Sequence, residues 1–223
     1  RQMCIRDRED TAAKGNLVSS AGMFLAVLVT IVEIINPVLV LSAIVLGGLI
    51  GSAFALKVKM TSIPEMVALF NGFGGLSSFF LAWSEFNNLT TTSLIMLITY
   101  ATVIIGGITF SGSVIAFLKL SEMFKASNNF LNKASRWFLI FSLIFIAIAA
   151  LQIVASSLGI YIFDFELIQK VFIAVLVVSI IAGLAFVTPI GGGDMPVVIS
   201  LLNSLSGIAA ASAGVLLTNT ALI

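Results

Sequence analysis

No histidine occurs anywhere in these 223 residues, and cysteine occurs once, as Cys4. The first absence removes the usual neutral-pH proton carrier and the commonest metal ligand. Chemistry that needs an imidazole must draw it from another chain. The second excludes an internal disulfide framework. Charge is nearly as scarce: 9% of residues are charged, against about 25% in a soluble domain. A formal net charge of +1 leaves no basic footprint for nucleic acid. What is abundant is hydrocarbon. The chain is 60% hydrophobic, with a mean hydropathy of +1.19. No soluble fold could hide that much apolar surface, so the expected solvent is a lipid bilayer.

A bilayer core is about 30 Å thick, and a spanning helix needs roughly 20 apolar residues. Seven runs approach that length, at 17–35, 38–56, 64–83, 93–118, 137–158, 168–187 and 196–217. Pro37 breaks the first from the second. Lys57, Lys59 and Pro64 separate the second from the third, and Glu85, Asn87 and Asn88 are expected to mark a turn after it. Such long unbroken runs predict helices rather than barrel strands, because in lipid every backbone group must be satisfied within its own span. The fold class expected is all-α, a polytopic transmembrane helix bundle of about seven spans.

Residues 1–14 form the polar N-terminal tail, and residues 15–223 the transmembrane domain. The opening RQMCIRDRED has neither the apolar core nor the cleavage site of a signal peptide. The chain starts without Met and therefore reads as a fragment; its first eight residues read equally well as non-native or as a short cytosolic tail. Alternating the spans from that tail puts ten Lys and Arg on one side and only Lys170 on the other. The positive-inside bias then places the N-terminus in the cytoplasm or the equivalent matrix compartment.

The stretch 188–214, TPIGGGDMPVVISLLNSLSGIAAASAG, is the most unusual. Gly191, Gly192 and Gly193 precede Asp194 and Pro196, and the apolar run that follows carries Ser200, Asn203, Ser206, Gly207, Ala210 and Gly214 at helical spacing. An earlier echo exists. Pro64, Asn71 and Gly75 share the pattern P-x6-N-x3-G with Pro196, Asn203 and Gly207. Both asparagines fall about 10 Å inside the entry end of parallel helices, at 1.5 Å per residue. Ala68, Asn71, Gly74, Gly75, Ser78 and Ala82 line one face of the third run; Thr102, Gly106, Thr109, Ser113 and Ala116 line one face of the fourth.

Small residues in such stripes allow close helix approach, and packing alone explains most of them. The amides are different. A buried amide in lipid is costly unless paired, and polar groups within spans tend to mark ion or substrate paths. An amide cannot titrate. It can hold water or hydrogen-bond an ionisable partner. The expected polar path is Asn71, Asn203, Ser206, Ser78, Thr109 and Ser113, with Asp194 and the three glycines as gate.

Asp194 also suits a plain helix cap, since a carboxylate there meets the positive helix end. The glycine run could cradle a phosphate, but it lacks the G-x-G-x-x-G context and the Walker lysine, and it follows a span rather than a strand. Ser62 with Glu65 reads as a capping box. Glu33, near the outer end of the first run, reads better as a snorkelling interface residue than as a proton site.

Three stretches, KMTSIPEMVALFNGFGGL, ITFSGSVIAFLKL and GGGDMPVVISLLNSLSGIAAASAG, resemble the membrane domain of the beta subunit of proton-translocating NAD(P)+ transhydrogenase, in that family's order. The resemblance covers nearly everything from residue 9 to 223. It implies that proton passage through this domain drives hydride transfer from NADH to NADP+ in partner soluble domains. It further implies one more span before the first run, one after the last, and an NADP(H)-binding domain beyond.

By position, Asn203 matches the family's asparagine in the proton path, and Asp194 an aspartate implicated in coupling to the NADP(H) domain. Asn71 matches a position that is histidine in some members and asparagine in others. The latter can carry the membrane histidine on a span of the alpha partner. The partners implied are that alpha subunit, the NADP(H)-binding domain and the bilayer, in a dimer of alpha-beta units in a bacterial inner membrane, a mitochondrial inner membrane being the lesser alternative. NAD(H) and NADP(H) belong to the complete complex; this fragment is expected to bind no cofactor and no metal, and to be inactive alone. The competing expectation is half of a secondary transporter, with its polar path between the third and seventh runs.

Overall fold

The computed structural model describes residues 9–32, 37–88, 93–124, 129–157 and 165–218. Seven α-helices run through them: α1 (Glu9–Val32), α2 (Pro37–Lys57), α3 (Ile63–Asn88), α4 (Ser93–Leu120), α5 (Asn129–Ser157), α6 (Phe165–Val187) and α7 (Met195–Leu216). The helical bundle expected from composition is what forms. Six of these, α2 to α7, are long and apolar enough to cross a membrane; in α1 the apolar part is shorter, Lys14–Val29. The end of the first expected span, Glu33 with it, lies outside the described residues, as do residues 1–8 and Asp164.

The chain divides into two compact units, Arg1–Lys57 and Val58–Ile223. In the first, α2 begins at Pro37, where the missing N–H falls among amides that lack helical partners anyway. Its apolar side chains, Val38, Leu39 and Leu46 among them, are exposed.

The second unit is a five-helix bundle in which α4 touches α3, α5, α6 and α7. Glycine makes this central position possible. A Cβ on Gly75 would stand 2.9 Å from Gly106 O, Phe110 N and Thr109 Cβ. One on Gly106 would stand 2.8 Å from Gly75 O. All but Thr109 Cβ are backbone atoms, and these cannot swing aside. On the α6 side, a Cβ at Gly107 would meet Ser179, and one at Gly183 would meet Ser111 and the Ile108 carbonyl. The small-residue stripes read from α3 and α4 are therefore packing seams, as small residues in spans usually are.

Two apolar clusters close the ends of the bundle. One gathers Ala68, Ala116, Val187, Met195, Val198, Ile199 and Leu202. The other includes Phe79, Phe86, Tyr100, Val103 and Phe172. In it the rings of Phe86 and Phe172 stack at 3.8 Å, and Tyr100 meets Phe172 edge-on at 5.1 Å. Burial of Phe86 explains one departure from expectation. Glu85, Asn87 and Asn88 do not form a turn after α3; they are its last helical turn, because Phe86 carries the helix on into the aromatic cluster.

Candidate functional site

Between the two apolar clusters lies a polar layer on the α3–α4 seam. Asn71 is 8% exposed and Ser113 is fully buried. The amide nitrogen Nδ2 of Asn71 donates to Ser113 Oγ at 3.0 Å. Thr109 sits one turn away from Ser113 on α4, completely buried. Its Oγ1 and Asn71 Oδ1 have no hydrogen-bond partner among the described residues. Buried polar atoms are normally satisfied, and leaving one unpaired costs about 1–3 kcal/mol. Two such atoms lie within a turn or so of each other, next to the close Gly75 contact. Ser78, buried on the same face of α3, donates to Gly74 O at 3.3 Å. Four of the residues expected in a polar path are thus brought to one seam.

Asn203 is not among them. Parallel packing puts it level with Asn71: Ala68 clusters with Val198, Ile199 and Leu202, and Ser206 Oγ lies 3.9 Å from where a Gly74 Cβ would be. The sequence offset from Gly74 to Ser206 equals that from Asn71 to Asn203. The two amides share a level, as their spacing predicts, but they do not share a face. Asn203 is exposed, with Ser200, Gly207 and Ala210 on the same side of α7. The inward face of α7 is apolar: Val198, Ile199, Leu202, Ala209 and Ala213 are buried. Ser206 is half-buried at the boundary.

The turn before α7 is a short 3-10 segment, Gly192–Asp194. Gly191, Gly192, Gly193 and Asp194 are all exposed. Asp194 occupies the N-cap position, yet its side chain makes no capping hydrogen bond. Its backbone there is helical (φ −92°, ψ 0°), whereas a capping residue usually takes an extended conformation that aims its oxygen at the following amides. The carboxylate stands at the surface with no capping bond among the described residues.

The sequence presents one residue of this region as a cytoplasmic-side charge that begins the 119–136 loop at the mouth of the bundle, with no contact assigned to it. Lys119, in the last turn of α4, is half-buried and reaches the end of α6. Its Nζ donates to the carbonyls of Val187 at 3.0 Å and Ile190 at 2.7 Å, and to that of Thr188. A cation ending an apolar span is the only trace of this in the sequence; the receiving carbonyls lie 68 to 71 residues away.

The family model described as NAD(P) transhydrogenase beta subunit matches residues 4–223. The NAD(P) transhydrogenase subunit beta of Rhodospirillum rubrum is 32% identical over 234 residues, covering 96% of this chain and 46% of that protein. The same-named protein of a designated strain of that species gives the same figures. The chain therefore spans about half the length of the curated relatives it matches.

Proposed function

Since this chain belongs to the NAD(P) transhydrogenase beta-subunit family, we propose that it is the part of a proton-translocating transhydrogenase that carries protons across the membrane. Proton passage is coupled to hydride transfer from NADH to NADP+ in soluble domains outside this chain. It works within a multi-pass membrane protein, with the Lys119 end of the bundle on the cytoplasmic side of a bacterial inner membrane.

The observation that carries this reading is the outward polar face of α7. Asn203, Ser200 and Gly207 are exposed on a helix whose apolar face is turned inward. An amide facing acyl chains is costly, so this face calls for a covering helix from outside the five-helix unit. The alpha subunit is the partner proposed. This chain has no histidine, and a histidine on an alpha-subunit span beside Asn203 would supply the titrating group. Asn71 and Thr109, with their unpartnered oxygens, would hold water at the same level on the other side of α7. Asp194, free of any capping duty, is the group that an NADP(H)-binding domain would press upon.

The mechanism proposed is alternating access: nucleotide state sets which side of the membrane the protonated group can reach. NAD(H) and NADP(H) bind elsewhere in the complex, a dimer of alpha-beta units, and this chain alone carries out no hydride transfer. The test uses membranes holding the complete beta subunit and its alpha partner. Asn203→Leu is expected to lower gradient-driven NADPH formation by roughly tenfold or more, since a charge-assisted hydrogen bond is worth about 1.5–3 kcal/mol. Subunit assembly should persist. Full coupled activity in Asn203→Leu and in Asp194→Asn would assign helix α7 to packing and sink the proposal.

A further inference from the structure

Lys119 makes contacts that topology alone does not require. An ammonium group has three protons to donate, and three carbonyls receive them, those of Val187, Thr188 and Ile190. Val187 is the last residue of α6, and the other two begin the turn that follows. The final carbonyls of a helix lack intrahelical partners, and a cation there also meets the negative end of the helix dipole. Of the three, only the Val187 carbonyl belongs to α6, and it also accepts from Ile190 N–H at 3.2 Å; Lys119 adds a positive charge at that helix end and ties the turn that follows to α4.

Beyond Ile190 the segment is held by its own backbone hydrogen bonds, Asp194 N–H to Gly191 O at 3.2 Å and Met195 N–H to Gly192 O. A Cβ on Gly191, Gly192 or Gly193 would meet nothing within 4 Å, and none of the three adopts a left-handed φ. Neither crowding nor backbone conformation in this structure requires even one of these glycines. Packing restraint returns at Met195, which is fully buried. The segment is three unhindered glycines and an exposed carboxylate held between two fixed points.

We infer that Lys119 is a positioning residue, a three-point clamp on the end of α6 and the first residues after it that confines movement of the Asp194 turn to Gly191, Gly192 and Gly193. A push on Asp194 is then delivered to the start of α7 and is not absorbed by fraying of α6. This rests on the proposed coupling role of Asp194, and the test separates the two.

Lys119→Met, Lys119→Arg and Asp194→Asn are compared with wild type in membranes holding the complete beta subunit and its alpha partner. The readouts are assembled enzyme, and the ratio of gradient-driven to gradient-independent hydride transfer. Lys119→Met is expected to assemble and to lower that ratio by roughly tenfold, the worth of one charge-assisted hydrogen bond. Lys119→Arg keeps the charge, but its planar fork cannot hand one proton to each of three converging carbonyls, so its ratio should fall between the two. A nitroxide attached at Gly192→Cys, with Cys4 replaced by Ser, should tumble faster when Lys119 is Met.

Wild-type ratio and unchanged nitroxide motion in Lys119→Met would overturn the clamp. If Asp194→Asn loses its ratio in that same experiment, the coupling role of the turn stands without it. Should Asp194→Asn also keep its ratio, the functional reading fails, and unchanged nitroxide motion overturns the clamp separately. Loss of assembled enzyme, with both rates falling in parallel, would make Lys119 a folding residue and also overturn the proposal.

Discussion

The pattern P-x6-N-x3-G occurs on α3 and on α7, and the fold treats the two copies in opposite ways. On α3 the asparagine is buried and bonded to Ser113, and the glycine is in contact with the backbone of α4. On α7 the asparagine is exposed, and a Cβ on Gly207 would meet nothing within 4 Å. One copy is a seam inside this chain. The other is a surface that the five-helix unit presents. A motif of small and polar residues states that something must come close; it does not state what. On α3 the neighbour is the next helix in the chain. On α7 it is proposed to be the alpha subunit.

The sharpest way to break this contrast is to add a methyl group to each glycine. Gly75→Ala should destabilise the beta subunit in detergent by about 1–3 kcal/mol, because the new carbon meets backbone on α4 that must shift. Gly207→Ala should cost nothing there, and can gain up to about 1 kcal/mol of helix propensity. Equal losses at the two sites would mean that the α7 face is packed within this subunit. A smaller effect is expected at the amide pair. Ser113→Ala removes the partner of Asn71 and should cost about 0.6 kcal/mol, the average for interhelical hydrogen bonds in membranes, and no more than about 1.7. Asn203→Leu, on the exposed face, should stay within about 0.5 kcal/mol in the isolated subunit. The smallest effect belongs to Asp194→Ala, since Asn would cap as well as Asp and would test nothing. A capping carboxylate contributes about 1 kcal/mol. Without a capping bond, this change should alter stability in detergent by less than about 0.5 kcal/mol. A larger loss would restore the helix-cap reading.

Much of the architecture was legible because the bilayer leaves few choices. Runs of apolar residues interrupted at Pro37, Lys57 and Lys59 could only be helices, and helices form there. The common level of Asn71 and Asn203 followed from equal spacing after two prolines on parallel helices. The end of α3 was misjudged, because polarity at Glu85, Asn87 and Asn88 was visible while the stacking of Phe86 on Phe172 was not. The grouping of Asn71, Thr109 and Ser113 was suggested by their spacing along two helices. The missing capping bond of Asp194 was not, since an aspartate before a helix reads as a cap whatever its backbone angles turn out to be.

Composition and period by themselves determined that this chain lives in lipid, that it is helical, which ends of the helices carry positive charge, and that any titrating imidazole must come from elsewhere. These are properties of each segment against its solvent, and a segment's own residues settle them. Tertiary structure alone decided which asparagine is inside and which outside, that Lys119 reaches the end of α6, and that three glycines stand unhindered between that clamp and Met195. Those outcomes depend on which helix lies beside which, and on the rotation of each about its axis. Close approach at Gly75, Gly106 and Gly183 sets both, through contacts between residues far apart in the chain.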